Sequence, residues 1–145
     1  MRSLSTLMIA ALAASAAGCG SSSPTTPTST IGYTLLGQIP AAVNGVPQTR
    51  SHTFLLTSQA AVSITLTSAS EALLDGTTST TISLGLALGT MSNGACAPID
   101  GAAVTTASGT SAQLTWTLPA GADCVQVSDV TTQEGPVNYA ISLTY

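Results

Sequence analysis

The sequence predicts an all-β protein, an antiparallel β-sandwich of the jelly-roll or immunoglobulin-like kind, preceded by an export signal and a tether. Three observations carry this expectation. Charged residues are 6% of the 145, while Ser and Thr number 43 and Val, Ile and Leu are plentiful, a composition that favours strands over helices or disorder. Apolar and polar residues alternate over short stretches, the period of a half-buried strand. Asn-Gly, Asp-Gly and Pro-containing turn signals separate those stretches.

The chain opens with Met1 and Arg2, a short positive region, followed by the apolar run Leu4 to Ala17 with small residues toward its end. That is the anatomy of an export signal. Its uninterrupted apolar part, Leu7 to Ala14, is far shorter than the roughly 20 residues of a spanning helix. Ala16-Ala17-Gly18-Cys19 resembles a bacterial lipobox, in which a peptidase cuts before the cysteine and the thiol takes diacylglycerol, although Ala16 stands where Leu is usual. Ordinary cleavage after Ala14-Ser15-Ala16 is the alternative. The resemblance implies that residues 1–18 are a lipoprotein signal peptide and that Cys19 is the lipidation site. Two or more acyl chains, palmitate among them, hold a protein stably at a bilayer where one does not, so the implied partner is the membrane. With Gly20 rather than Asp after the cysteine, the resemblance points to the outer membrane of a two-membrane cell envelope.

Cysteine parity agrees. An exported chain with three cysteines leaves one unpaired unless Cys19 is modified, and the default for Cys96 and Cys124 is then a disulfide. It would close a loop of about 28 residues and contribute roughly 3 to 4 kcal/mol in the chain-entropy account. Cys124 has the parity of Gln126, opposite Val125 and Val127, so the bridge is expected to clip the Asn93 to Pro98 loop onto the outer face of its strand. No CxxC spacing or neighbouring cation marks these thiols as reactive.

Residues 19–30 form the lipidated cysteine and a flexible tether, since Ser21 to Thr30 (SSSPTTPTST) offers no core contact beyond its two prolines. A plain cleavage-site spacer is the other reading. Residues 31–145 form the sandwich domain, long enough to bury some two-thirds of its unfolded surface. Seven strands are expected: Ile31 to Leu36, Ser51 to Thr57, Ala60 to Ser68, Thr81 to Gly89, Ser111 to Leu118, Ala122 to Val130 and Val137 to Tyr145. The alternation is clean in Val62, Ile64 and Leu66, in Ile82 to Leu88, in Leu114, Trp116 and Leu118, and in Val137 to Tyr145. Asn44-Gly45, Asp75-Gly76, Asn93-Gly94 and Asp100-Gly101 supply turns, and Leu118-Pro119-Ala120-Gly121 suits a type I turn. Glu71 to Leu74 suggests one helical turn. With one Phe and one Trp the core must be mostly aliphatic, and the parity of Trp116 with Leu114 and Leu118 predicts a core ring rather than an exposed sugar platform.

Two Lys or Arg in the whole chain cannot neutralise a row of phosphates, so nucleic acid is excluded as a partner. One histidine, His52, rules out a His pair for zinc. Without a GxSxG elbow it makes no persuasive triad, and a rim imidazole bonded to a loop is the expected role. Asp100, Asp123, Asp129 and Glu134 cluster in the last third and could attract Ca²⁺. Their spacing fits no loop motif, and solvated turn acids are the favoured reading. The glycines are dispersed among turns, so no phosphate loop and no cofactor is indicated.

Three segments in order resemble the bacterial pre-peptidase C-terminal domain, a small β-sandwich appended to many secreted enzymes. SHTFLLTSQAAVSITLTS resembles its opening hairpin, TISLGLALGT its middle strand, and LTWTLPAGADCVQVSDV with VNYAISLTY its closing signature. The resemblance covers Ser51 to Tyr145 and departs from the family at Asp123, where Tyr is usual, and at His52, where an aspartate-like residue is usual. It implies a non-catalytic domain that assists secretion, stability or substrate binding beside a catalytic partner, and no catalytic domain stands in this chain. The expected function is therefore a non-catalytic, lipid-anchored cell-envelope module with a structural or recognition role. The alternatives are a glycan- or peptide-binding accessory module, with Tyr33 and Tyr145 as its spare aromatics, and a small hydrolase using His52.

Overall fold

The computed structural model describes residues 30–130 and 133–145. The expected export signal, the expected lipidation site Cys19 and the expected tether through Ser29 lie outside the described residues. Within them the fold is all-β: β1 (Gly32–Ile39), β2 (Thr49–Leu56), β3 (Ala60–Ala72), β4 (Thr78–Ser79), β5 (Ser83–Ser92), β6 (Ala95–Ala107), β7 (Leu114–Leu118), β8 (Gly121–Asp129) and β9 (Val137–Thr144). One antiparallel sheet runs β1-β9-β3, with β4 and β7 sharing the far edge of β3, and the other runs β2-β8-β5-β6. The two pack face to face as a β-sandwich. No helix among the described residues is long and apolar enough to cross a membrane.

Alternation decides which side chains meet in the middle. Val62, Ile64 and Leu66 of β3 and Ile141 and Leu143 of β9 face Leu84, Leu86 and Leu88 of β5 and Val125 and Val127 of β8, all of them buried. Each such side chain contributes about 1.5 to 3 kcal/mol by leaving water. The opposite faces carry Ser, Thr and Gln, as a sandwich wetted on both outer faces requires.

All seven expected strands are present. Asn44 with Gly45 and Asn93 with Gly94 have positive φ, 53° and 74° for the first pair and 51° and 80° for the second. Both pairs thus have the backbone signs of the type I′ turn that suits strand twist. The second closes the β5–β6 hairpin, where Ser92 pairs with Ala95.

Four expectations are corrected. The chain from Ala95 to Ala107 is a strand, β6, and not a loop and a turn. Pro98 is tolerated because β6 is an edge, and Asp100-Gly101 sits in a bulge that sets Ile99 to Ala102 opposite Leu88 alone. Glu71 to Leu74 makes no helical turn, because the buried Glu71 carboxylate accepts N–H bonds from Glu134 (2.7 Å) and Gly135 (3.0 Å) and holds Glu71 and Ala72 in β3. The SHTFLLTSQAAVSITLTS segment is not a hairpin: β2 and β3 belong to different sheets, and the Pro119-Ala120 turn likewise carries β7 across to β8. Trp116 is 36% exposed. Its parity is that of the core, but β7 is an outer strand, and the ring overhangs the gap between sheets, 3.7 Å from where a Cβ on Gly101 would sit.

Candidate functional site

Strands β1 and β2 are the outermost strands of their respective sheets on one side of the sandwich, paired only with β9 and β8. Together with the end of β9 they gather most of the chain's rings. Tyr145 lies between Tyr33, at 5.9 Å between ring centroids and 31° between planes, and Phe54, at 6.0 Å and 28°. These three rings, with Leu35, Thr53, Leu55 and Leu143, line a cleft of about 210 Å³. The Tyr145 hydroxyl stands 3.3 Å from the carbonyl of Leu55 and 3.5 Å from the Tyr33 hydroxyl. That neighbouring hydroxyl, and then partial burial, pushes the Tyr145 phenol above its ordinary value. On its other side Tyr145 walls a hollow of about 450 Å³ with Thr30, Ile31 and the hydroxyl-rich turn Thr57 to Ala61.

Farther along the same edge is a polar tie between the sheets. His52 Nε2 and the Tyr139 hydroxyl are joined by a hydrogen bond of 2.8 Å, their rings edge-to-face at 82°. Burial lowers the His52 pKa and raises that of Tyr139, the latter opposed by the positive charge of Arg50. A Cβ at Gly37 would collide with the Tyr139 phenol, so the close approach of β1 requires glycine there. Arg50 donates through Nε to the carbonyl of Gln38 at 3.2 Å and bridges β2 to β1. His52 thus lies within a strand and bonds to a sheet residue, where a loop partner was expected.

Six of the nine exposed large hydrophobic residues among those described, Ile31, Tyr33, Leu36, Val43, Val46 and Leu55, belong to β1, β2 or their connection and the residue leading into β1. The sequence pointed to Tyr33 and Tyr145; it did not reveal that Phe54 completes the cluster. Two-residue parity places Phe54 on the inner face beside His52 and Leu56, but not under the end of another sheet.

The remaining candidates lie elsewhere. Cys96 and Cys124 form the disulfide, with Cα atoms 5.8 Å apart. Cys124 sits on the outer face of β8 opposite Gly89, and is fully buried because the β6 backbone at Ala97 crosses directly over Gly89, where any Cβ would clash. The bridge therefore clips the β5–β6 tip onto the sheet. The four acidic candidates do not converge, and among the described residues no three His, Cys, Asp or Glu side chains could share a metal ion. Asp123 and Asp129 are buried within β8 rather than solvated in turns, whereas Asp100 and Glu134 are exposed. Asp123 faces inward between Phe54 and Thr90, burial raises its pKa, and its Oδ2 meets no hydrogen-bond partner.

No family model matches the chain, and no curated protein matches it.

Proposed function

We propose that the protein is a non-catalytic, lipid-anchored module of the cell envelope, placed at the outer membrane, with a structural or recognition role akin to that of pre-peptidase C-terminal domains. The observation that carries this reading is the allocation of cysteines. With Cys96 bonded to Cys124, Cys19 is the one thiol left, and it stands directly after an export signal in lipobox context. The single histidine, on which a hydrolase would depend, is bonded to Tyr139. The deciding experiment is the intact mass of membrane-extracted protein before and after reduction. The expected species begins at Cys19, carries acyl mass and gains two hydrogens on reduction. A species beginning at Ala17, unacylated and water-soluble, would overturn the anchor.

A second reading, a glycan- or peptide-binding accessory module, is favoured by one observation: Tyr145 separates an apolar cleft from a hydroxyl-rich hollow, the mixed surface that amphipathic ligands use. Glycan arrays and pull-downs with cell-wall fractions test it. Retention that disappears in Tyr33→Ala supports it, and a clean negative returns the module to a structural role.

A further inference from the structure

The pairing of β1 with β9 leaves a row of backbone groups facing outward. Ile31 and Tyr145 exchange both N–H···O bonds, at 2.8 and 3.0 Å. In an antiparallel ladder the hydrogen-bonded positions alternate, so Tyr33, Leu35 and Gly37 also turn toward β9, while Gly32, Thr34, Leu36 and Gln38 turn away. The Gln38 carbonyl confirms the parity, since it is free to accept from Arg50. Gly32, Thr34 and Leu36 keep their edge groups open on a strand with no proline, no charge and no bulge, the usual devices against strand addition. Side chains of a strand added here would alternate, one set entering the cleft between β1 and β2.

Charge selects the occupant. All six carboxylates of this chain, net charge −4, stand at Glu71 or later, and Arg50 is the only Lys or Arg among the described residues. Arg50 lies four residues from Phe54 on β2, roughly 13 Å along the strand. A second copy of the chain would bring an uncharged β1 and no carboxylate for Arg50. We propose that the β1 edge binds an extended peptide as an added antiparallel strand, with an apolar or aromatic side chain in the Tyr33–Phe54–Tyr145 cleft and an acidic residue four positions earlier against Arg50. This rests on the recognition reading above and names its partner class.

The test is selection from a random displayed peptide library on the purified full chain, followed by binding of the selected peptides to two variants. The expected motif is an acid, three arbitrary residues, then an apolar residue. Thr34→Pro, which removes an outward N–H without touching the β9 ladder, weakens binding about tenfold or more. Arg50→Glu, on an exposed side chain, converts the acidic preference to a basic one and keeps the inference testable should Thr34→Pro not fold. Absence of enrichment, or peptides indifferent to Arg50→Glu, overturns the proposal. Two further outcomes overturn it in favour of another occupant. One is a dimer in ultracentrifugation that Thr34→Pro abolishes. The other is exchange protection of the Gly32, Thr34 and Leu36 amides by phosphatidylglycerol vesicles and not by peptides. The mass experiment on Cys19 is unaffected by any of these results, so the anchor and the edge fail separately.

Discussion

The two sides of the sandwich are built to opposite rules. On the side of β6, β4 and β7 each outer strand carries a defence: β6 has Pro98 and the bulge at Asp100-Gly101, β4 is two residues long and β7 five. Its hairpin tip is stapled by the Cys96–Cys124 disulfide, and Trp116 covers the seam. On the side of β1 and β2 the strands are eight residues each, with exposed Leu36 (71%) and Leu55 (63%) and an aromatic cleft between them. Edge strands expose pairing groups, and proteins blunt them where pairing is harmful. This chain blunts one side, and the peptide contact proposed above falls on the side it leaves open. The difference is also one of stabilisation: a covalent bridge and backbone devices hold the first side, whereas side-chain hydrogen bonds from Tyr145, Arg50 and the His52–Tyr139 pair tie the second.

The largest effect should come from the guarded side. Cys96→Ser with Cys124→Ala should lower stability by about 3 to 4 kcal/mol, the loop-closure value for this separation, read as a fall in the denaturation midpoint. Peptide binding at β1 should not change in that variant while it remains folded. If it does, the two sides are not independent. Next in size is Gly37→Ala on the open side, where the new methyl meets the Tyr139 phenol and should cost about 2 kcal/mol through overpacking. Tyr139→Leu removes the ring that the methyl meets, so the double variant should be less destabilised than the two single losses summed. Strict additivity in a double-mutant cycle would mean the collision is relieved elsewhere.

Much of this asymmetry was legible in residue order, and the reasons for the remainder are physical. Clean alternation identified β3, β5, β7 and β9, because successive side chains of a sandwich strand point alternately inward and outward. Asn44-Gly45 and Asn93-Gly94 marked turns because both positions need positive φ. β6 escaped because an edge strand needs no continuous alternation: its Pro98 and bulge residues read as loop for the very reason that they suit an edge. Trp116 escaped because parity gives a face but not whether the facing sheet extends over it. The cleft was half legible. Tyr33 and Tyr145 were the evident spare rings, but their meeting with Phe54 depends on β1 and β2 ending up side by side in different sheets, a non-local fact. Glu71, which fastens the Glu134-Gly135 backbone, carries no local signal at all.

Asp123 gives a smaller effect on the open side's flank, beside Phe54. A carboxyl whose folded pKa is raised above 3.8 opposes folding at neutral pH, since the folded state binds the proton more tightly. Asp123→Asn should therefore raise the melting temperature at pH 7, each unit of raised pKa being worth about 1.4 kcal/mol. The advantage over the parent should shrink as pH falls toward 3.8. A gain that stays constant down to that pH would mean that the charge is not its source.

The smallest expected effect has the opposite sign with pH and resides in the tie itself. His52 has a folded pKa below 6.5, because burial opposes the imidazolium. The unfolded chain therefore binds the proton first, and stability falls as pH drops below about 6.5 until the folded histidine also protonates. The group bonded to the ring is the Tyr139 hydroxyl, which carries no charge to offset a buried imidazolium. The loss should concentrate in the open side, so amide exchange between pH 7 and pH 5.5 should accelerate most in β1 and β2 and least across the disulfide-clipped β5–β6 tip. His52→Gln keeps a hydrogen-bonding group for Tyr139 without a titratable ring, and should flatten the dependence over that interval. Uniform acceleration on both sides, unchanged by His52→Gln, would show that acid acts on the whole sandwich and that the polar tie does not set the strength of its open side.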